Sequence, residues 1–406
     1  MNKTPLVCLF SLLLTACSDD INSEAGADFN DGNKEPTVTT DFNRNALLTD
    51  IADQVIVPTI QSLVDQANVQ TLAVDAYCEA TKNSESDAAE KASTAKQEWR
   101  NTMNIWQQVE IMQLGPLLDN DSSLRNKMYS WPIVNHCTVD QDVGHFELGI
   151  FAGRDYDITT RTDTRRGLDA LEYLLYNDNL AHSCSKDSLA PDNWDQRPAQ
   201  ERVEARCSYA SEVALDVENS AKELLTAWQG DSGFAQSLKN AADSNKFDDE
   251  QDAINRITDA MFYIDSVTKD AKLAAPIGLS SNSCGNASCV EDIESRLSQH
   301  AIENIKYNLI GLQKLFIAND ESNNGFDDFL TAVDAETLAQ TMKQDIQSAI
   351  DAANAFNLDF EQAVVNQPEQ VQNLHQAVKV VTDNLKSVFI TYLALELPIT
   401  SAGDAD

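Results

Sequence analysis

Apolar residues recur three or four positions apart through most of the chain, and this spacing restricts the possible fold more than any other feature. It places the apolar side chains on one face of an α-helix, where they can pack against neighbouring helices. No segment alternates apolar and polar residues for long enough to predict a β-strand. At 406 residues with a hydrophobic share of 42%, the chain can form more than one core. We therefore predict an all-α protein, in which each half has enough long helices to form a bundle.

Breaks in the helical pattern predict the domain organisation. The Gly230–Gly233 turn separates an N-terminal helical domain, 41–229, from a C-terminal bundle, 230–400. Pro58 predicts a kink in the first helix. The chain is predicted to become helical from about Phe42. Further long helices are predicted at about 86–113, 251–271, 291–316, 333–356 and 364–393, with another that ends near Trp228.

Residues 131–160 have no clear helical pattern and are predicted to be the least regular part of the body. They contain His136, His145 and several aspartates. Because ligand-type residues in loops often complete binding sites, a site could be completed here.

The first residues are typical of an export signal. Lys3 and the apolar run 6–14 precede Leu14-Thr15-Ala16-Cys17, which resembles a bacterial lipobox. We expect residues 1–16 to be a signal peptide, Cys17 to carry lipid and anchor the protein to a membrane, and residues 17–40 to be a flexible tether. An ordinary signal peptide with an incidental cysteine is the alternative. Ser18 resembles the sorting signal for the outer membrane, so we expect an exported protein that faces the periplasm.

Six cysteines remain after Cys8 and Cys17, and in an oxidising compartment an even number predicts three disulfides. Their spacing suggests Cys284–Cys289 and Cys184–Cys207. Cys78–Cys137 is left by elimination, as one of the fifteen connectivities that six cysteines allow. No CxxC pair or paired histidines accompany them, so a zinc site is not predicted.

The net charge of −36 excludes some partners. Nucleic acids and anionic lipid head groups bind to clustered lysine and arginine, so neither is expected as a partner. An acidic excess of this kind is usually a solvated surface.

The segment 165–177 carries the most plausible binding site. Its spacing predicts a helix that begins at Gly167. One face of this helix carries Asp169, Glu172, Tyr173 and Tyr176. Carboxylates three residues apart on a helix are neighbours and can share a cation or a proton, so Asp169 and Glu172 are the candidate metal ligands. The tyrosines are suited to a half-buried wall.

A second candidate wall lies on the helix at 86–113. There Trp106 and Glu110 end an apolar stripe, and Arg100 lies on a neighbouring polar line. The stripe is either ordinary core with an acid at its rim or one wall of a polar pocket.

Further along the chain, His300, Asn304 and Asn308 recur every four residues. This spacing predicts hydrogen bonds between helices in preference to a pocket wall.

With these residues in view, the chain resembles the imelysin family of exported bacterial proteins, in its lipoprotein branch. The matching segments are spread over nearly the whole chain: Trp99-Arg100, Met103, Trp106-Gln107, Leu114-Gly115-Pro116, Trp131-Pro132, Cys137, Gly167–Leu175, Pro276–Leu279, Cys284, Cys289, Asn308-Leu309, Gly311-Leu312 and Gly325–Asp328. The resemblance implies two helical bundles with a functional site near their junction.

The family signature Gly-x-His-x-x-Glu falls on Gly167, Asp169 and Glu172, with aspartate in place of histidine. A carboxylate prefers harder cations than an imidazole does, such as calcium, magnesium, manganese or ferric iron. The cofactor expected here is therefore a metal ion, iron or another hard cation.

Three functions follow from the resemblance and the residues. The first is a non-catalytic binding component of iron, other metal or haem uptake, working with protein partners of an uptake system. The second is a helical interaction module without a small ligand, in which Arg100, Arg165 or Arg166 pairs with the motif acids. The third is a metallopeptidase, which the absence of His-Glu-x-x-His and of the family histidine disfavours.

Overall fold

The computed structural model describes residues 41–186, 191, 193–285 and 287–398. The expected signal peptide, the lipid attachment at Cys17 and the whole of the tether lie outside these residues. Within them the protein is almost entirely helical, which confirms the all-α prediction. None of the helices in this part of the chain is long and apolar enough to cross a membrane.

The first half contains seven helices and one short hairpin within the described residues. They are α1 (Arg44–Asp50), α2 (Val57–Lys82), α3 (Ala88–Glu110), α4 (Asp119–Met128), α5 (His136–Leu148), β1 (Ile150–Phe151), β2 (Arg154–Asp155), α6 (Gly167–Tyr176) and α7 (Ala199–Trp228). The long helices α2, α3 and α7 pack together, and α6 packs against α3 and α7.

The second half is built from further helices. They are α8 (Phe234–Lys239), α9 (Glu250–Met261), a π-helical segment (Ile264–Ala274), α10 (Ala301–Phe316), α11 (Phe326–Ala332), α12 (Glu336–Ala355), α13 (Phe360–Asn366), α14 (Pro368–Asn384) and α15 (Ile390–Leu393). Here α10, α12, α14 and the π-helical segment form the core of a bundle. The domain boundary at 229/230 stays a prediction. Helix α1 of the first half packs on α8 and α9 of the second half, so packing does not separate the two halves at this point.

Three expectations about secondary structure were wrong in detail. The helix predicted over 291–316 begins only at Ala301, because residues 293–299 form turns with a positive φ at Ser295 and Gln299. The region 131–160 is more regular than expected, since its first half forms α5. That helix begins after Asn135, whose side chain accepts a hydrogen bond from the Thr138 N–H at 3.2 Å. A two-residue antiparallel pair, β1 with β2, follows where no strand was predicted.

Pro58 is accommodated within a continuous helix. A π-helical segment, Ile51–Ile56, directly precedes α2, and Pro58, which has no N–H to donate, follows this change in the hydrogen-bond pattern. The helix continues to Lys82.

The two halves meet where α3 packs against α10. At Gly311 of α10, an added Cβ would lie 3.0 Å from the Cα of Gln108. The absence of a side chain at Gly311 therefore lets the two helix backbones approach closely. The predicted hydrogen-bond line on α10 lies along this junction.

Two residues of that line bond directly to α3. The Asn308 Nδ2 donates to the Gln107 backbone oxygen at 2.8 Å, and the His300 Nε2 lies 2.8 Å from the Asn104 Oδ1. Asn304 instead donates to the Ser295 hydroxyl at 2.9 Å. The prediction of hydrogen bonds between helices is confirmed for His300 and Asn308, whereas Asn304 bonds to a turn and His300 also lines a cavity.

The structure contains three disulfides, and two of them join cysteines that were not expected to pair. Cys284–Cys289 is confirmed, whereas Cys78 bonds to Cys207 and Cys137 bonds to Cys184. The expected Cys184–Cys207 and Cys78–Cys137 pairs were wrong because pairing follows helix packing. Cys78 and Cys207 lie on α2 and α7, which pack against each other along their length.

We expect the Cys78–Cys207 bond to contribute more to stability than the Cys284–Cys289 bond. The first closes a loop with a sequence separation of 129 and the second one of 5. In the chain-entropy model a loop of that greater length corresponds to about 4–5 kcal/mol and the short loop to about 2 kcal/mol. Urea unfolding of Cys78→Ala/Cys207→Ala and of Cys284→Ala/Cys289→Ala, each against the unmodified protein, measures both. Equal losses in the two variants would contradict the expectation.

Candidate cation-binding site

The helix α6 is held in place by the glycine at its first residue. Gly167 has a φ of +87°, which favours glycine, and an added Cβ would lie 2.9 Å from the Met128 backbone oxygen. The start of α6 therefore packs directly against the last turn of α4. This contact fixes the position of the two acids that follow on the helix.

Asp169 is buried and satisfied by neutral donors. Its Oδ2 accepts hydrogen bonds from the Ser130 N–H at 2.9 Å and the Ser130 hydroxyl at 2.5 Å, and its Oδ1 accepts from the Ala170 N–H at 2.9 Å. Burial raises the pKa of Asp169 to about 6, although these hydrogen bonds act in the opposite direction.

Glu172 lies one turn further along α6 and is 8% exposed. Its Oε1 accepts a hydrogen bond from the Ser298 N–H at 2.8 Å. Burial raises the pKa of Glu172 to about 7, and the negative charges of Asp169 and Glu294 add to the effect. The two acids thus receive donors from different halves of the protein, Ser130 from the first and Ser298 from the second.

No lysine or arginine lies within 4.0 Å of either acid in the described part of the chain. The arginines proposed as their partners in the interaction-module hypothesis bond elsewhere. Arg165 pairs with Asp142 at 2.8 Å and Arg166 pairs with Asp216. Arg100 donates to the Tyr176 hydroxyl at 3.1 Å and to the Ser298 backbone oxygen at 2.5 Å.

Both acids line one open cavity of about 1350 Å³. Tyr129, Trp131 and His136, from the first half, also line the cavity, while Asp270, Glu291 and Asp292 come from the second half. Arg296 also lines it but is paired with Glu361, at 2.8 Å. The cavity therefore carries a strong excess of carboxylates, which favours a cationic ligand.

His136 was not among the predicted site residues, although it lies in the stretch 131–160 where completion of a site was expected. It is the first residue of α5, and its ring stacks on Tyr173 with 4.3 Å between centroids. Burial lowers its pKa below 6.5, so the imidazole is neutral at pH 7 and can act as a metal ligand. Its position among many acidic residues in 131–160 was the available sequence signal.

The predicted tyrosines do not line the cavity. The Tyr173 hydroxyl donates to the Asp140 Oδ2 at 2.8 Å and accepts from the Arg206 Nη2 at 3.1 Å. The Tyr176 hydroxyl donates to the Lys96 backbone oxygen at 2.5 Å. Both side chains fix α6 against its neighbours.

Trp106 and Glu110 also lie away from the cavity. Trp106 is fully buried against Tyr129, with 6.5 Å between ring centroids. Glu110 is fully buried as well and bonds to Arg125 at 2.8 Å, with Lys272 at 3.7 Å. The acid is thus part of a buried ionic network, neither at a rim nor on the cavity wall.

This network reaches the cavity through Glu294. Lys272 lies 3.1 Å from Glu294 and donates to the Gln107 Oε1 at 2.6 Å, while the Tyr129 hydroxyl donates to Glu294 at 3.0 Å. Because Tyr129 also lines the cavity, the network lies directly behind its wall. The charge on Glu294 is one of the causes of the raised pKa of Glu172.

The donor set of Asp169 and Glu172 fits a hard cation, because it offers carboxylate oxygens that no basic side chain neutralises. In the described residues, the ligand atoms of these acids and His136 do not all lie within 4.8 Å of one another. A cation held here would complete its shell with water or with atoms of its own carrier. The group that does meet this distance is Cys284, Cys289 and Glu291, but its sulfurs are bonded to each other and cannot act as thiolate ligands.

The sequence profile of the peptidase M75 family, imelysin, matches residues 56–388. The chain belongs to the imelysin family. Two solved structures share the imelysin fold. A protein from Parabacteroides distasonis named as an iron-regulated protein A precursor has a TM-score of 0.66 at 17% identity, over 88% of this chain and 97% of that chain.

The second is an imelysin-like protein from Psychrobacter arcticum. It has a TM-score of 0.64 at 15% identity, over 88% of this chain and 99% of that chain. At these identities the likeness shows the fold alone. No curated protein is significantly similar in sequence to this imelysin.

Replacing Gly167 by alanine is expected to lower the free energy of unfolding by about 2–4 kcal/mol. The positive φ accounts for about 1–2 kcal/mol, and the close contact with the Met128 carbonyl adds to it. Gly153→Ala is the matched control, because Gly153 has a φ of +76° with nothing within 4 Å of an added Cβ. Chemical denaturation measures both variants, and equal losses would show that the contact at Gly167 is unimportant.

The raised pKa values of Asp169 and Glu172 predict that the ligand-free protein loses stability as pH rises. The folded state holds protons on these groups up to pH about 6 and 7, whereas the unfolded chain releases them near 3.8 and 4.5. Their contribution is therefore fully present below pH about 4 and is lost between pH about 4 and 7, by up to about 3 kcal/mol for each group.

Denaturation at several pH values tests this expectation. Asp169→Asn/Glu172→Gln cannot ionise at these positions and is expected to lose less stability over the same pH range than the unmodified protein. Asp155→Asn, at an exposed acid, controls for the loss of charge and should follow the unmodified protein. Parallel pH profiles for the double variant and the unmodified protein would rule out titration of the two acids.

Proposed function

We propose that this imelysin is a non-catalytic binding protein that holds a hard cation, iron in particular, between Asp169 and Glu172. The observation that carries the proposal is the pair of buried carboxylates that line an open acidic cavity without a basic partner. An uncompensated buried carboxylate is costly unless it is protonated or binds a cation. The two acids can alternate between these states, because their pKa values of about 6 and 7 lie close to neutral pH.

A role in iron acquisition is supported by the solved structure that bears the name iron-regulated protein A precursor. The lipobox-like sequence before Cys17 supports an exported protein anchored by lipid, and Ser18 supports the outer membrane with the body in the periplasm. In that setting, a cation site that opens to solvent can receive its cargo from the periplasm and pass it to a partner of an uptake system. The cavity is also large enough for a metal held in an organic carrier such as haem.

Binding without catalysis is the preferred function because of the donor geometry. A catalytic zinc needs three protein ligands, an open position and a base. Asp169, Glu172 and His136 do not present three ligand atoms within 4.8 Å of one another. Two carboxylates with neutral hydrogen-bond donors instead provide a site from which a hydrated cation can be released.

The interaction-module alternative is favoured by one observation. The hydrogen bonds from Ser130 and Ser298 make the two acids into links between α6 and both halves of the protein. In that case the acids stabilise the junction and require no cation.

Cation binding should raise the melting temperature and should strengthen with pH. Melts of the purified protein with and without Fe²⁺, Mn²⁺, Ca²⁺ and Zn²⁺, from pH 5 to 8, measure the effect. A cation at a hundredfold excess over its dissociation constant stabilises the folded state by about 2.7 kcal/mol. Affinity should rise through pH 6–7 because protons and the cation compete for the same carboxylates.

Asp169→Asn/Glu172→Gln should abolish this stabilisation and remain folded, while Glu291→Gln, at an exposed acid across the same cavity, should keep it. Loss of stability in the double variant, with no cation effect on the unmodified protein at any pH, would reject the binding function and favour the interaction module. A cation effect that survives in the double variant would place the site elsewhere.

A further inference from the structure

A second cavity, of about 550 Å³, lies beside α3, α10 and the start of α13. The turns that precede α10 line both cavities, Arg296 and Leu297 the first and Gln299 and His300 the second. Neither the imelysin signature nor the proposed cation site accounts for it. Its volume lies within the range of small-molecule sites.

Arg100 of α3 is the main polar group of this cavity. Its Nε donates to Tyr176 and its Nη2 donates to the Ser298 backbone oxygen, which leaves the Nη1 group without an acceptor in the described residues. No carboxylate lies within 4.0 Å of it in this part of the chain. Other half-buried or buried arginines, such as Arg161 and Arg206, each pair with an aspartate. Although the protein has a net charge of −36, this arginine contacts only neutral groups. Its guanidinium can therefore bind an external anion.

Lys306 supplies a second positive charge in the same cavity. Its protein partner is Glu303 at 3.6 Å, which is longer than a hydrogen bond, and the Glu303 side chain is 44% exposed. The other acid that lines the cavity, Asp359, caps α13 by accepting from the Gln362 N–H at 2.8 Å. Neither acid therefore lies within 4.0 Å of Arg100 in the described residues, and the contact between Lys306 and Glu303 is long.

Aromatic side chains form the rest of the wall. Tyr307, Phe356 and Phe360 line the cavity, with 5.9 Å between the ring centroids of the two phenylalanines. Lys306 lies over the Tyr307 ring at 5.1 Å. Charged groups and rings together match a ligand with an anionic head and an apolar body.

We propose that the second cavity binds a small organic carboxylate with an aromatic or apolar body. The carboxylate accepts hydrogen bonds from the free N–H groups of Arg100 and lies near Lys306, and its body packs against the three rings. The proposal is independent of cation binding at Asp169 and Glu172, since it concerns a different cavity and a ligand of opposite charge.

Calorimetric titration of the purified full-length protein with benzoate tests the proposal, and benzamide is the neutral control of the same shape. Benzoate is expected to bind at least tenfold more tightly than benzamide. Arg100→Gln should weaken benzoate binding by at least tenfold, and Lys306→Gln by about threefold to tenfold. Arg154→Gln, at an exposed arginine that has no acidic partner within 4.0 Å among the described residues, should leave it unchanged.

Lys306→Gln keeps the contacts that Arg100 makes with Tyr176 and Ser298. Benzoate binding to this variant therefore tests the proposal even if Arg100→Gln fails to fold. No benzoate binding at millimolar concentration, equal binding of benzoate and benzamide, or unchanged binding in Lys306→Gln would each overturn the proposal. Weakening by Lys306→Gln with full binding in Arg154→Gln supports it.

Discussion

The close contact between α3 and α10 is the constraint on which the rest of the molecule depends. At Gly311 the two helix backbones meet without a side chain between them, so the polar residues around this point are forced into mutual contact. Lys272 reaches both Gln107 and Asn308 there, at 2.6 and 2.9 Å. A buried network of this kind specifies one arrangement of the two halves, because any shift would leave charges without partners.

The candidate site follows from that arrangement. Asp169 and Glu172 come from one short helix, but each takes a hydrogen bond from a serine that a different half supplies. Ser130 and Ser298 are neutral donors, so they position the carboxylates without cancelling their charge. The raised pKa values result from this combination of burial and incomplete compensation.

Most helices could be located from the sequence, because apolar spacing and glycine or proline breaks act locally. The Asp169/Glu172 pair was visible for the same reason, since residues three apart on a helix must be neighbours. The roles of Ser130 and Ser298 could not be predicted, because a serine in a loop carries no local signal for a partner far along the chain. His136 was visible only as a member of a loop rich in ligand-type residues.

The cysteines show the same limit. Spacing identified the local Cys284–Cys289 pair, but Cys78 and Cys207 meet only because α2 and α7 pack side by side. Likewise, the helix before Ala301 was predicted too long, since the apolar spacing of 291–300 continues through residues whose backbone turns. In both cases tertiary contacts decided between alternatives that were equivalent in the sequence.

The backbone of Ser298 has a consequence for communication within the molecule. Its N–H bonds to Glu172 in one cavity, and its carbonyl oxygen bonds to Arg100 in the other. The backbone of this one residue therefore contacts groups of both cavities, and the φ of the next residue, Gln299, is positive. A ligand that moved this residue in one cavity would also alter its hydrogen bond in the other, and by thermodynamic reciprocity the coupling free energy would be equal in both directions.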